Sequence, residues 1–203
     1  MAKFLHKKKY SVHGLVRKSS TGNLINIKGF LHKNNFFIHH GDLLDFVSVE
    51  KIIKQLKPDE IYNLAAQSSV GLSFEQPIGT FLFNTNSVNN LLEVIRLFSP
   101  DTKMYQASSS EMYGQAERMP ITIDTPMRPI SPYGISKMAA YHMVSTYRNS
   151  YNLYALNGVL FNHESYRRGE TFVTRKITLS AARIKYGLQK KLYLGNINAV
   201  RDW

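Results

Sequence analysis

The segments K-M-Y-Q-A-S-S-S-E-M-Y-G (residues 103–114) and S-P-Y-G-I-S-K (residues 131–137) decide the fold class. In the first, an apolar run leads into three serines and a glutamate, as when a strand delivers polar groups to its end. In the second, Ser131 suits a helix N-cap and Pro132 a first turn, so a helix starts there and runs to about residue 151. The four-residue spacing puts Tyr133 and Lys137 on one face of that helix, a turn apart. Strand followed by helix is half of a β–α–β unit, and in parallel sheets ligands gather at the carboxyl ends of strands.

Outward from this stretch the same alternation continues. Strands are expected over residues 10–17, 36–40, 60–66, 103–107 and 153–161, with a short final one over 191–194. Helical spacing predicts helices over 2–9, 46–56, 80–98 and 172–186, the second stopped by Pro58 and the third by Ser99-Pro100. Strands alternating with helices imply an α/β fold with a doubly wound parallel sheet. No internal repeat or low-complexity tract interrupts it.

The 203 residues suit one domain with a real core. No apolar run reaches the ~18 residues of a membrane span and no secretory signal pattern is present, so cytoplasm is the expected compartment. Zero cysteines exclude disulfides and thiolate metal sites, and no metal is expected. The formal charge of +12 is uneven: net +6 over residues 1–60, −1 over 61–164 and +7 over 165–203. Two basic ends around a neutral middle suit an anionic ligand such as a nucleotide. The same lysines also suit solvated faces, and no RNA-binding pattern of interleaved aromatics accompanies them.

Tyrosine is a poor base at neutral pH, and bringing its pKa from ~10 to ~7 requires roughly 4 kcal/mol. A cation about 4 Å away at an effective dielectric of ~20 contributes about that much. Lys137 is therefore placed to make Tyr133 a usable base. Spacing alone is a weak signal, because Tyr186 and Lys190 repeat it with a glycine between them. The strand end before the first copy is what distinguishes it. Ser109 can hydrogen-bond a substrate hydroxyl, and Glu111 can move a proton.

Together with Y-N-L-A-A-Q-S-S-V (residues 62–70), N-G-V-L-F-N-H-E-S (157–165), R-R-G-E-T-F-V-T-R-K-I (167–177) and L-Y-L-G-N (192–196), these segments carry a resemblance. The chain resembles the extended short-chain dehydrogenase/reductase family and, within it, the GDP-mannose 4,6-dehydratases, over nearly its whole length. The resemblance implies an NADP-dependent conversion of GDP-mannose to GDP-4-keto-6-deoxy-mannose and water. Tyr133 would deprotonate the mannose 4-hydroxyl, Lys137 would tune Tyr133 and hold the nicotinamide ribose, Glu111 would remove the C5 proton, and Ser109 would stand where relatives carry threonine. Cofactor contacts are implied for Arg17, Lys18, Ser19 and Ser20, for Asp42 and Leu43, for Leu64, Ala65, Ala66, Gln67 and Ser68, and for His163 and Arg168. Basic Arg17-Lys18 in place of an acidic residue favours the 2′-phosphate of NADP. Asn162, Lys176 and Arg201 would contact the GDP-sugar. The resemblance makes residues 1–203 a truncated NADP-binding Rossmann-like domain in which 162–203 begin the substrate-binding region, and a homo-oligomer is implied for the full-length form.

The chain departs from the family's pattern in three ways. Relatives open with a strand and a G-x-x-G-x-x-G turn, relatives continue past R-D-W (residues 201–203), and Gly79 stands where they place a tyrosine. The expectation is a fragment in which the strands near residues 10 and 60 lose a shared neighbour. An inactive remnant is one alternative, and another sugar-nucleotide dehydratase or epimerase of the family is a second. A dTDP-glucose dehydratase typically reads T-D-E where this chain has Ser109-Ser110-Glu111, and epimerases have no need of a C5 base.

Overall fold

A computed structural model of the chain describes residues 1–19, 24 and 26–198. It divides into two compact units, residues 1–160 and 161–203.

The first unit opens with helix α1 (Ala2–Lys7), whose last turn carries His6 and Lys7 where the helix dipole favours cations. Strands β1 (Val12–Val16) and β2 (Phe36–His40) pair in parallel, Val12 opposite Phe36. One face of this pair buries Val12 and Phe36 with Phe30, and Ala2 and Leu5 of α1 pack on that cluster. Helix α2 (Phe46–Leu56) is N-capped by Asp45, which accepts the Val47 N–H, and ends at Lys57 in the left-handed region just before Pro58.

Strands β3 (Glu60–Asn63), β4 (Lys103–Ser109) and β5 (Ala155–Leu160) form a second parallel sheet with β4 in the middle. Helices α4 (Pro77–Phe98) and α5 (Pro132–Tyr151) pack together, with Val88, Leu91, Leu92, Val94 and Ile95 of α4 and Ala140 and Val144 of α5 buried with Met104 and Ala155 of the strands. Val49 and Ile53 of α2 join that core. Each fully buried Leu or Ile here contributes about 1.5–3 kcal/mol.

Most expected elements are present with ends shifted by a few residues. Three features differ. Strand β3 stops at Asn63 rather than continuing to Ala66, because the Asn63 carboxamide turns back to accept the Ala65 N–H and starts a loop. A short helix α3 (Val70–Glu75), capped by Ser69, occupies what reads as loop. Residues 191–194 form no strand, having no neighbour to pair with among the described residues. Among the described residues β1 and β3 do not pair, and the two sheets are separate.

In the second unit, helix α6 (Val173–Lys185) follows Phe172. It ends before Tyr186, and Gly187 takes a φ of +73°, so Tyr186 and Lys190 share no helix face.

Candidate active site

Strand β4 ends with Ser108 and Ser109 both buried, and a 3-10 turn over Ser110–Met112 follows. Ser109 Oγ accepts the Glu111 N–H at 3.3 Å, so the hydroxyl opens the turn that presents the half-buried Glu111. Helix α5 starts as the sequence indicates, Ser131 Oγ accepting the Gly134 N–H at 3.0 Å with Pro132 at its first position. Gly134 lets the helix sit close on the turn: a Cβ there would lie 2.6 Å from the Glu111 carbonyl oxygen. That approach brings Ser109, Glu111 and Tyr133 to one place.

Tyr133 and Lys137 are 8% and 5% exposed, so the pair is internal rather than a surface stripe. Lys137 Nζ donates to the Ala107 carbonyl at 2.9 Å and stands 5.9 Å from the Tyr133 ring centroid. Burial pushes its pKa down from 10.5 to about 8. The lysine is still an ammonium at neutral pH, but held at a cost. A unit charge about 6 Å away at an effective dielectric of ~20 attracts an opposite one by about 3 kcal/mol. An ammonium so placed would favour the phenolate form of Tyr133.

The register of β3 on β4 sets Asn63 beside Gln106, and the Asn63 amide donates to Gln106 Oε1 at 2.8 Å. Gln106 Nε2 in turn donates to the same Ala107 carbonyl that receives Lys137. Sequence reading missed these residues. A lone glutamine or asparagine in a strand has no spacing signature, and only the register shows that both are buried.

The loops expected to touch a cofactor follow β1, β2 and β3. Arg17, Lys18 and Ser19 stand exposed after β1, and Ser20 lies outside the described residues. The Gly41 N–H donates to the Val16 carbonyl, joining the ends of β1 and β2. Asp42 Oδ1 accepts the Leu44 N–H, and the Leu43 carbonyl accepts from the Asn90 amide of α4 at 2.8 Å. After β3, Leu64 and Ala65 are exposed, and Gln67 is tied to α4. Paired exposed cations for a phosphate, an exposed leucine for a ring face and a dry ammonium beside a phenol are a donor set that fits a nicotinamide dinucleotide.

The remaining candidates lie in the second unit. His163 Nδ1 is 2.9 Å from the Phe161 carbonyl oxygen. Arg168 lies over the Phe172 ring, 3.6 Å from its centroid, with its Nε 3.3 Å from Glu164 Oε1. Asn162 and Lys176 are half-buried, and Arg201 lies outside the described residues. Among the described residues, no group of three or more His, Cys, Asp or Glu side chains is placed to hold a metal ion. No helix among them is long and apolar enough to cross a membrane.

Comparison with known proteins agrees with the geometry. A GDP-mannose 4,6-dehydratase from Vibrio cholerae is 49% identical over 210 residues, covering all of this chain and 56% of that protein. The chain thus spans a little over half the length of this relative. Among solved structures, UDP-glucose 4-epimerase of Thermus thermophilus, in complex with NAD, matches with TM-score 0.78 and 29% identity over 92% of this chain and 58% of that one. RMD from Pseudomonas aeruginosa, complexed with NADPH, matches with TM-score 0.71 and 26% identity over 88% and 64%. Residues 1–203 match the family described as GDP-mannose 4,6 dehydratase from end to end, and the chain belongs to that family.

Proposed function

We propose that the chain carries the catalytic residues of an NADP-dependent GDP-mannose 4,6-dehydratase, which converts GDP-mannose to GDP-4-keto-6-deoxy-mannose and water. The observation that carries this reading is the buried Lys137 ammonium beside Tyr133, next to the strand end that presents Ser109 and Glu111. In this reading Ser109 Oγ holds the mannose 4-hydroxyl while the Tyr133 phenol takes its proton, and Lys137 stabilises the phenol as it does so. A nicotinamide dinucleotide held by the loops after β1 and β3 would supply the hydride-accepting chemistry at C4 and the hydride-donating chemistry at C6. Between those events Glu111 would remove the C5 proton, made acidic by the 4-ketone, and pass it to the C6 hydroxyl, which leaves as water; as C6 is reduced, C5 regains the proton that Tyr133 took from the 4-hydroxyl. Atoms balance: one water is lost and the sugar keeps its overall oxidation level.

Arg17 and Lys18 would hold the 2′-phosphate of NADP at the end of β1, and Leu64 to Ser68 would line the dinucleotide after β3. Asp42 and Leu43 take the adenine side in this reading. His163 and Arg168 add cofactor contacts and Asn162, Lys176 and Arg201 meet the GDP-sugar. The exposed Ile78 and Phe81 of α4 and Ile135 of α5 line one apolar groove, which supports a homo-oligomer; light scattering of the purified protein tests it.

Incubating the 203-residue chain with GDP-mannose and NADP, then analysing the nucleotide-sugar by mass spectrometry, tests the activity. The expected result is loss of one water with no net change in NADPH. Binding of NADP with unchanged GDP-mannose would instead favour the inactive-remnant reading. Preference for NADH over NADPH in direct titration would defeat the assignment of Arg17 and Lys18.

A further inference from the structure

A buried polar network joins α4 to the loop after β3 and to α5. Asn84, in the middle of α4, is 2% exposed, and its carboxamide treats the Gln67 main chain as a β-ladder partner would. Its Oδ1 accepts the Gln67 N–H at 2.9 Å, and its Nδ2 donates to the Gln67 carbonyl at 3.0 Å. The second Nδ2 hydrogen goes to Ser136 Oγ at 2.9 Å. The Ser136 hydroxyl, wholly buried, donates to the Tyr133 carbonyl at 2.7 Å. Both Nδ2 hydrogens and the Oδ1 of Asn84 are engaged. One turn before it, Thr80 Oγ1 accepts from the Gln67 side-chain amide at 3.0 Å.

We propose that Asn84 and Ser136 are positioning residues that fix the distance between the dinucleotide-facing loop after β3 and the first turn of α5, which bears Tyr133. Gln67 belongs to the loop and Tyr133 to the helix, and this chain of hydrogen bonds is a buried polar route joining them. A buried amide is costly to leave unpaired, so the network has one low-energy arrangement rather than several. Hydride transfer and proton abstraction act on one sugar carbon from two sides, and they need the loop and the tyrosine in a fixed relation. A misplacement of about 1 Å in such a geometry can cost roughly a hundredfold in rate. The clasp supplies that relation from a helix that contributes no catalytic group. It also explains why α4 has Thr80 and Asn84 at interior positions rather than apolar side chains.

The proposal rests on the function above only for the identity of the ligand, so its test has two readouts. The first is amide hydrogen exchange across residues 64–68 of the chain without ligand. Asn84→Ala should speed exchange at Gln67 by about tenfold or more, and Ser136→Ala by about threefold, with exchange in α2 unchanged. Unchanged exchange at Gln67 in either variant overturns the clasp. The second is NADPH fluorescence titration of the wild type, both variants and the double variant. Each single change should weaken binding about tenfold, and the double no further, since both cut one device. Losses that multiply to about a hundredfold overturn the proposal, because the residues then act independently. If the wild type binds neither NADPH nor NADH, the proposed function fails while exchange still decides the clasp. Should Asn84→Ala not fold, Ser136→Ala alone carries both readouts.

Discussion

Removing the buried cation by Lys137→Met should change how stability depends on pH, in a direction the structure fixes. Burial lowers the Lys137 pKa from 10.5 to about 8 in the folded chain, while the unfolded chain keeps the ordinary value. Below pH 8 both states hold the proton, and the folded state bears the full penalty of a dry ammonium. Between pH 8 and 10.5 the unfolded state binds more protons, so stability rises with pH. Above 10.5 the penalty is gone. Two and a half pH units correspond to about 3 kcal/mol. The wild type should therefore gain about 3 kcal/mol relative to Lys137→Met between about pH 7.5 and 10.5. The offset between the two proteins at any one pH includes the packing of the methionine, but the slope does not. Urea unfolding at half-unit pH steps measures it, and NMR titration of the Lys137 side chain gives the midpoint directly. Parallel stability curves, or a midpoint near 10.5, would refute the burial argument and with it the claim that this ammonium acts in a dry site.

Three further outcomes are expected. Glu111→Gln should lower product formation by about a hundredfold or more while C4 oxidation persists, read as NADPH absorbance that rises and stays; unaltered turnover would remove Glu111 as the C5 base. Gly134→Ala places a methyl against the Glu111 carbonyl and the Pro129 ring. It should cost about 1–3 kcal/mol in urea unfolding, and a smaller loss would mean the helix and turn are not in contact. Ser131→Ala removes the cap of α5 and should cost about 1 kcal/mol, whereas a neutral result would show the helix start to be held by packing instead.

Much of the site was legible because its signals are local. Ser131-Pro132 marks a helix start by cap chemistry, and Tyr133 with Lys137 share a face by helix pitch, so both could be read without a partner. Pro58 and the apolar spacing before it likewise mark α2, while its Asp45 cap was seen only in the structure. The short α3 carries Gly71 and no two-turn apolar period, so only its packing against α4 and α5 makes it a helix. The Tyr186/Lys190 repeat shows the limit of spacing: the same four-residue step means nothing once the helix has ended at Lys185.

The Asn84 clasp was illegible for a different reason. Thr80, Asn84 and Ser136 look in the sequence like solvent-facing polar residues, and nothing local says that water is excluded from them. The sequence by itself determined the α/β class, the order of most elements, and the grouping of Ser109, Glu111, Tyr133 and Lys137 around one strand end. The tertiary structure alone decided that Lys137 is dry, with its ammonium on the Ala107 carbonyl, and that the loop after β3 is tied to helix α5. Capping and periodicity act within a few residues of chain, whereas burial of a polar group is set by what distant segments place around it.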